Sequence, residues 1–259
     1  MSLSLPEGDG PLRRERLRTA RLYFVCEARP PGDLEALLRA ALTGGADIVQ
    51  LREKTLGRAE IERAAQTFRR VADTFSALFI VNDDPELART CDADGVHVGQ
   101  DDVSPEEARD YLGPNAVIGL STHTREQIDA AGGVPAQADR GRGERGVLRP
   151  RATEDADMRR AGTSSSVDYI SVGPVWETPT KAGRPAVGLD LIRHAARQAP
   201  HPFFAIGGID ADNAAEVVAA GAERLCAVRA IRDAADPEAA AAELRRAFAG
   251  AERGVARGG

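Results

Sequence analysis

Lysine is nearly missing from this chain. Of 34 basic residues only Lys54 and Lys181 are lysines, and the rest are arginine. Apolar runs are short, none near the roughly 20 residues that cross a bilayer, so no membrane partner is expected. Cysteine is sparse: Cys26, Cys91 and Cys226 lie far apart with no CxxC pair, which argues against a disulfide framework or a structural zinc site. Cys26 and Cys226 fall in apolar runs, where cysteine acts as a small core residue, and a reduced, cytoplasmic setting is the expectation. Positive charge is not in excess either. The formal net charge of −6 argues against a nucleic-acid or anionic-membrane partner through net electrostatics. The opening stretch MSLSLPEGDGPLRRERLRTA lacks the apolar centre of a secretory signal, and Glu7, Asp9 and Glu15 weaken a transit-peptide reading of its arginines. Residues 1–20 are expected to form a flexible, solvated leader, and residues 250–259 a flexible tail.

What is present is a rhythm. A length of 259 residues, 42% hydrophobic and 29% charged, suits one large α/β domain or two small ones with a sizeable core. Short β-rich runs recur: LYFVC (22–26), DIVQL (47–51), ALFIV (77–81), GVHV (95–98), AVIGL (116–120), DYISV (168–172), FFAIG (203–207) and RLCAV (224–228). Between them lie amphipathic stretches such as DLEALLRAALTGG, where Leu34, Leu37, Leu38 and Leu42 share one helical face ahead of two glycines. DNAAEVVAAGA repeats the pattern near the C-terminus, with Asp212 as its expected N-cap. Eight strand candidates, most followed by a helix candidate, predict an α/β fold, a single-domain (β/α)8 TIM barrel over residues 21–249. An open doubly wound sheet fits less well, because no GxGxxG turn follows the first strand and the count reaches eight. Residues 132–166, rich in Gly, Arg, Asp and Ser and nearly without apolar periodicity, read as an irregular, mobile insertion between the helix after strand five and strand six. A lid or a partner-binding arm is the other reading.

Active sites of such barrels lie at the C-terminal ends of the strands. The residues there are Gln50, Arg52 and Lys54; Asn82, Asp83 and Asp84; Gly99, Gln100, Asp101 and Asp102; Ser121, Thr122 and His123; Gly173, Thr178, Thr180 and Lys181; Gly207 and Gly208; and Arg229. No Ser–His–Asp set or Cys–His pair stands out as a nucleophile. Carboxylates from two neighbouring strands beside lysine and arginine suit a hard divalent cation bound to substrate phosphate oxygens, as Mg2+ prefers. Asp84 and Asp101 fit better as a helix cap or a loop acid. The GGI run at 207–209 lets backbone N–H groups approach a phosphate, with a helix start expected to add its dipole. Both lysines fall at strand ends on this face, where a compact point charge with rotatable donors can follow a moving phosphate better than arginine's planar fork.

At these residues the sequence resembles the thiamine phosphate synthase family. The elements that carry the resemblance are QLREK (50–54), VNDD (81–84), DGVHVGQDD (94–102), GLSTHT (119–124), YISVGPVWETPTK (169–181), AIGGI (205–209) and AVRAI (227–231), which together span Leu22 to Phe248 apart from the insertion. The resemblance implies a transferase that joins 4-amino-2-methyl-5-(hydroxymethyl)pyrimidine diphosphate to 4-methyl-5-(2-phosphoethyl)thiazole or its carboxylate, giving thiamine phosphate and pyrophosphate. It implies small-molecule phosphate and diphosphate substrates, Mg2+ on Asp83 and Asp102, and compatibility with a homo-oligomer. It places Gln50, Arg52, Lys54, Asn82, Ser121 and Lys181 on the pyrimidine diphosphate, with Arg52, Lys54 and Lys181 catalytic. It places Thr178, Thr180, Gly208, Val228 and Arg229 around the thiazole phosphate. Two features depart from the family pattern: the insertion, and Arg229 where the family usually has serine. The alternatives are a thiazole tautomerase-like barrel, which would use a histidine near His123, and a non-catalytic phosphate-ligand sensor.

Overall fold

The computed structural model describes residues 9–132, 165–178 and 185–255. Eight parallel strands close on themselves in sequence order. They are β1 (Leu22–Cys26), β2 (Ile48–Leu51), β3 (Leu78–Asn82), β4 (Gly95–Val98), β5 (Val117–Thr122), β6 (Tyr169–Val172), β7 (Phe203–Ile206) and β8 (Leu225–Ala227). β1 pairs with both β2 and β8, which closes the ring. Every strand run expected from the sequence is found, with ends shifted by one or two residues.

The helices of the described residues are α1 (Gly10–Thr19), α2 (Leu34–Thr43), α3 (Arg58–Phe75), α4 (Pro85–Thr90), α5 (Pro105–Leu112), α6 (Arg125–Ala130), α7 (Gly188–Gln198), α8 (Ala214–Ala219), α9 (Arg229–Arg232) and α10 (Pro237–Val255). Local chemistry starts several of them. Asp33 accepts from the Ala36 N–H at 2.7 Å and begins α2. Asp84 caps α4 through the Leu87 N–H at 2.8 Å, the cap role expected of it. Ser104 and Glu107 form a reciprocal capping box on α5. Asp212 does not cap α8. Asn213 holds that place, and the Asp210 carboxylate receives the Asp212 and Asn213 N–H groups.

Strand alternation divides the core in two. Leu22, Phe24, Val49, Leu51, Phe79, Val81, Val96 and Ile118 point outward and pack beneath the helices. Tyr23, Val25, Ile48, Leu78, Ile80, Val117, Tyr169, Phe204 and Cys226 fill the barrel, and Leu17 and Ala20 from the N-terminal segment join them.

That last contact corrects the expected leader. Residues 10–19 form a helix, with Arg13 and Leu17 buried. Arg13 Nε donates to Asp94 at 2.8 Å, and Arg69 approaches the other oxygen of the same carboxylate at 3.0 Å. Arg14 reaches Asp168 at 3.1 Å. Asp94 and Asp168 precede β4 and β6, so the helix docks on the N-terminal face through one buried ion pair and one part-exposed pair that composition alone does not reveal. The expected tail is corrected too, because α10 runs on to Val255.

Of the expected insertion at 132–166, residues 133–164 lie outside the described residues, and both flanks are anchored. His201 Nε2 lies 3.1 Å from the Ala131 carbonyl and 3.0 Å from Ser165 Oγ. These contacts lie just before β6 and β7, on the N-terminal face, opposite the strand ends that carry the site.

Candidate active site

Inward-facing positions change character along the strands. Low in the barrel they are Ile48, Leu78 and Val117; one layer up they are Gln50, His97, Ser121 and Ser171, all buried. Above them opens a cavity of about 370 Å³ lined by Gln50, Arg52, Asn82, Ser121, Thr178, Gly208, Val228 and Arg229, with an apolar floor that includes Tyr23, Phe204 and Ile206. Eight of the residues expected from the sequence thus meet around one space. Thr180 and Lys181 lie outside the described residues.

Lys54, Asp83 and Asp102 stand at the edge of this space rather than on its wall. Asp83 adopts a left-handed backbone, φ 64°, which aspartate tolerates better than most residues. Its N–H donates to the His97 carbonyl at 2.8 Å, tying the end of β3 to β4. The Lys54 ammonium closes on the Asp83 carboxylate. Asp102 accepts the Gly99 N–H at 2.8 Å and stands carboxyl to carboxyl with Asp83. Burial pushes the Asp83 carboxyl above the ordinary aspartate range, and Asp102 adds to the push against the pull of Lys54. Two acids are thus held at one point, one of them reluctant to ionise. Among the described residues no cluster of three or more metal-ligating side chains exists.

The glycine pair after β7 is required twice over. Gly207 and Gly208 have φ of 105° and 68°, and a Cβ on Gly207 would lie 2.4 Å from Pro174 Cα, in the loop after β6. The expected helix dipole does not adjoin them, because α8 begins only at Ala214 and Asn213 Nδ2 ties back to the Gly208 carbonyl at 2.8 Å. Arg229 opens α9 with its side chain exposed at the cavity.

Other residues flagged at strand ends have structural posts. Thr122 is buried and donates to the Ser171 carbonyl at 3.0 Å. Gln100 donates to the Ser121 carbonyl at 2.6 Å, joining the loops after β4 and β5. His123 Nδ1 lies 2.5 Å from the Gly173 carbonyl, and the ring is not part of the cavity wall. Sequence reasoning missed Tyr23, His97, Ser171 and Phe204, which also line the cavity. Their signal was the alternation within each strand: His97 in GVHV and Ser171 in YISV lie an even number of residues from glycines or apolar positions that face the barrel interior. Cys226 lines the floor and Cys26 packs outside the barrel, so the two cysteines share burial but not surroundings.

A closed parallel barrel with cations, paired carboxylates and glycines at its C-terminal mouth defines a (β/α)8 enzyme acting on phosphorylated small molecules. A family model described as thiamine monophosphate synthase matches residues 22–139 and 151–231. The thiamine-phosphate synthase of Thermobifida fusca is 45% identical over 235 residues, covering 90% of this chain and 94% of that relative. That of Saccharopolyspora erythraea is 43% identical over 249 residues, covering 93% and 98%. A solved thiamine phosphate pyrophosphorylase from Pyrococcus furiosus has TM-score 0.68 and 28% identity, covering 92% of this chain and 98% of that one. The chain belongs to the thiamine-phosphate synthase family.

Proposed function

We propose that this chain condenses 4-amino-2-methyl-5-(hydroxymethyl)pyrimidine diphosphate with 4-methyl-5-(2-phosphoethyl)thiazole or its carboxylate, releasing pyrophosphate. The observation that carries the reading is the single cavity shared by Gln50, Arg52, Asn82 and Ser121 on one side and Thr178, Gly208, Val228 and Arg229 on the other. Two substrates must meet in one space for this reaction, and both expected residue sets border the same one.

Gln50, Asn82 and Ser121 orient the pyrimidine, while Arg52, Lys54 and Lys181 hold the diphosphate. Thr178, Thr180, Gly208, Val228 and Arg229 hold the thiazole phosphate with its ring nitrogen facing the pyrimidine methylene. The methylene C–O bond breaks and its electron pair leaves with pyrophosphate; the thiazole nitrogen lone pair then forms the new C–N bond. Positive charge placed beforehand around the leaving group stabilises this separation, and one such interaction is worth roughly 10²–10³ in rate. Mg2+ held by Asp83 and Asp102 would supply further charge to the diphosphate oxygens. The apolar floor of Tyr23, Phe204 and Ile206 keeps water from the electron-poor methylene.

The tautomerase alternative finds less support, since His123 is engaged with the Gly173 carbonyl and is not itself part of the cavity wall. We place the enzyme in the cytoplasm, where its three cysteines, none in a disulfide, would remain reduced; no helix among the described residues is long and apolar enough to cross a membrane. The test is pyrophosphate release measured with Mg2+ and both substrates. Release that requires both supports the condensation. Thiazole isomerisation without the pyrimidine would identify a tautomerase, and binding without turnover a sensor.

A further inference from the structure

Tyr169 has no exposed surface and is not itself part of the cavity wall, yet its hydroxyl joins two residues that are. Gln50 Nε2 lies 2.6 Å from the Tyr23 hydroxyl, which lies 2.9 Å from that of Tyr169. The Tyr169 hydroxyl is 3.1 Å from His97 Nδ1. His97 Nε2 lies 3.0 Å from Ser121 Oγ and 3.3 Å from Ser171 Oγ, and Ser171 Oγ donates to Ser121 Oγ at 3.5 Å. A continuous buried path therefore connects Gln50 with Ser121, the two ends assigned to the pyrimidine.

Room is kept for this path. A Cβ added at Gly119 would lie 2.2 Å from Tyr169 Cζ and 2.4 Å from His97 Nδ1. Gly119 pairs in register with both residues, so a side chain at the centre of β5 would push the link apart.

The path has a direction. Burial holds both phenols protonated, so each has one proton to give. The amide N–H of Gln50 donates to Tyr23, and the direction that carries this bond onward has Tyr23 donating to Tyr169. Tyr169 then donates to His97 Nδ1, leaving the ring proton on Nε2 to face Ser121. Gln50 is left with its carbonyl oxygen as its one acceptor for the cavity, beside the second N–H of the amide. Ser121, already accepting from His97 and Ser171, is left with its own proton.

We propose that Tyr23, Tyr169 and His97 form a one-way hydrogen-bond chain that fixes Gln50 as an acceptor and Ser121 as a donor, selecting a heterocycle with an amino donor on one edge and an acceptor on another. The inference rests on the proposed substrate, because an aminopyrimidine presents that pattern. Tyr169 is a positioning residue: it acts on the ligand only through the groups at the chain's ends.

The test uses calorimetric binding, with Mg2+ present, of the 4-aminopyrimidine diphosphate and of its 4-oxo counterpart, whose edge has donor and acceptor exchanged. The proteins are the parent, Tyr169→Phe and the double variant Tyr23→Phe/Tyr169→Phe, each with a melting temperature. The parent should bind the amino compound roughly tenfold or more tightly than the oxo compound, about the worth of one well-placed hydrogen bond. Tyr169→Phe should melt lower and bring the two affinities within about threefold. The double variant removes both hydroxyls and leaves orphaned groups only on Gln50 and His97, which water in the cavity can reach. It should therefore regain melting temperature but not discrimination. A double variant that discriminates as the parent does would overturn the chain, because the network would then serve stability alone. That result is distinct from failure of the functional reading, which would appear in the parent as no binding of the amino compound and no turnover.

Discussion

Asp83 and Asp102 leave neighbouring strands and meet carboxyl to carboxyl, with Lys54 closing on Asp83 from the third side. Burial, with Asp102 adding to it, keeps the Asp83 carboxyl above its ordinary range. Asp83→Asn preserves size and tolerance of the left-handed backbone while removing the charge. Turnover should fall by roughly 10²–10³, with the melting temperature nearly unchanged, and excess chelator should silence the parent. Steady-state rates with and without Mg2+ check this, and full activity in either case removes the metal from the reaction.

Arg229 opens α9 at the cavity, and no salt bridge joins its side chain to another described residue. A guanidinium there can add a charge-assisted hydrogen bond to the thiazole phosphate. Arg229→Ser should raise the KM for the thiazole phosphate roughly 10- to 100-fold, as a charged hydrogen bond of ~1.5–3 kcal/mol implies. The KM for the pyrimidine diphosphate should hardly move. An unchanged thiazole KM would mean that only the backbone at this position matters.

Arg13 and Asp94 are both almost wholly enclosed beneath the barrel. Removing Arg13 leaves Asp94 with Arg69 as its remaining cation, a loss at the low end for a broken buried pair, about 3 kcal/mol. Arg13→Ala should lower the melting temperature by roughly 6–12 °C and leave the KM values of both substrates as they are, since the pair lies on the face away from the cavity. A melting curve identical to the parent's would return residues 10–19 to the solvated leader first expected of them.

Ala131 and Ser165, which flank residues 133–164, both contact His201 on the N-terminal face. Replacing them with a short Gly/Ser linker should give a folded enzyme with kcat and KM within about twofold of the parent, because surface-loop length changes closure entropy only slowly. Loss of activity with melting temperature preserved would reveal a lid, and a collapse in melting temperature would reveal packed structure.

Much of the architecture was legible before any coordinates. Strand runs such as LYFVC and DIVQL are local, and their spacing with amphipathic helices leaves few alternatives to a closed parallel barrel. Because strand ends carry the chemistry of such a barrel, Gln50, Arg52, Asn82, Ser121, Gly208 and Arg229 could be named from position alone. Asp84 was likewise legible as a cap, since a cap is made with the next three residues.

What the sequence could not supply depended on contacts between distant residues. An arginine-rich stretch reads as solvated until Asp94 and Asp168 are known to lie opposite it. Asp83 and Asp102 read as a pair, but their competition for charge follows from a left-handed turn that tertiary packing imposes. Tyr23, His97 and Tyr169 occupy three separate strands and look like ordinary core residues in each. Closure of the barrel brings their polar atoms within hydrogen-bonding distance. The chain by itself determined which strands form and which residues stand at their ends; only the closed structure decided how the inward side chains share protons, because that depends on strand register and on the space left by Gly119.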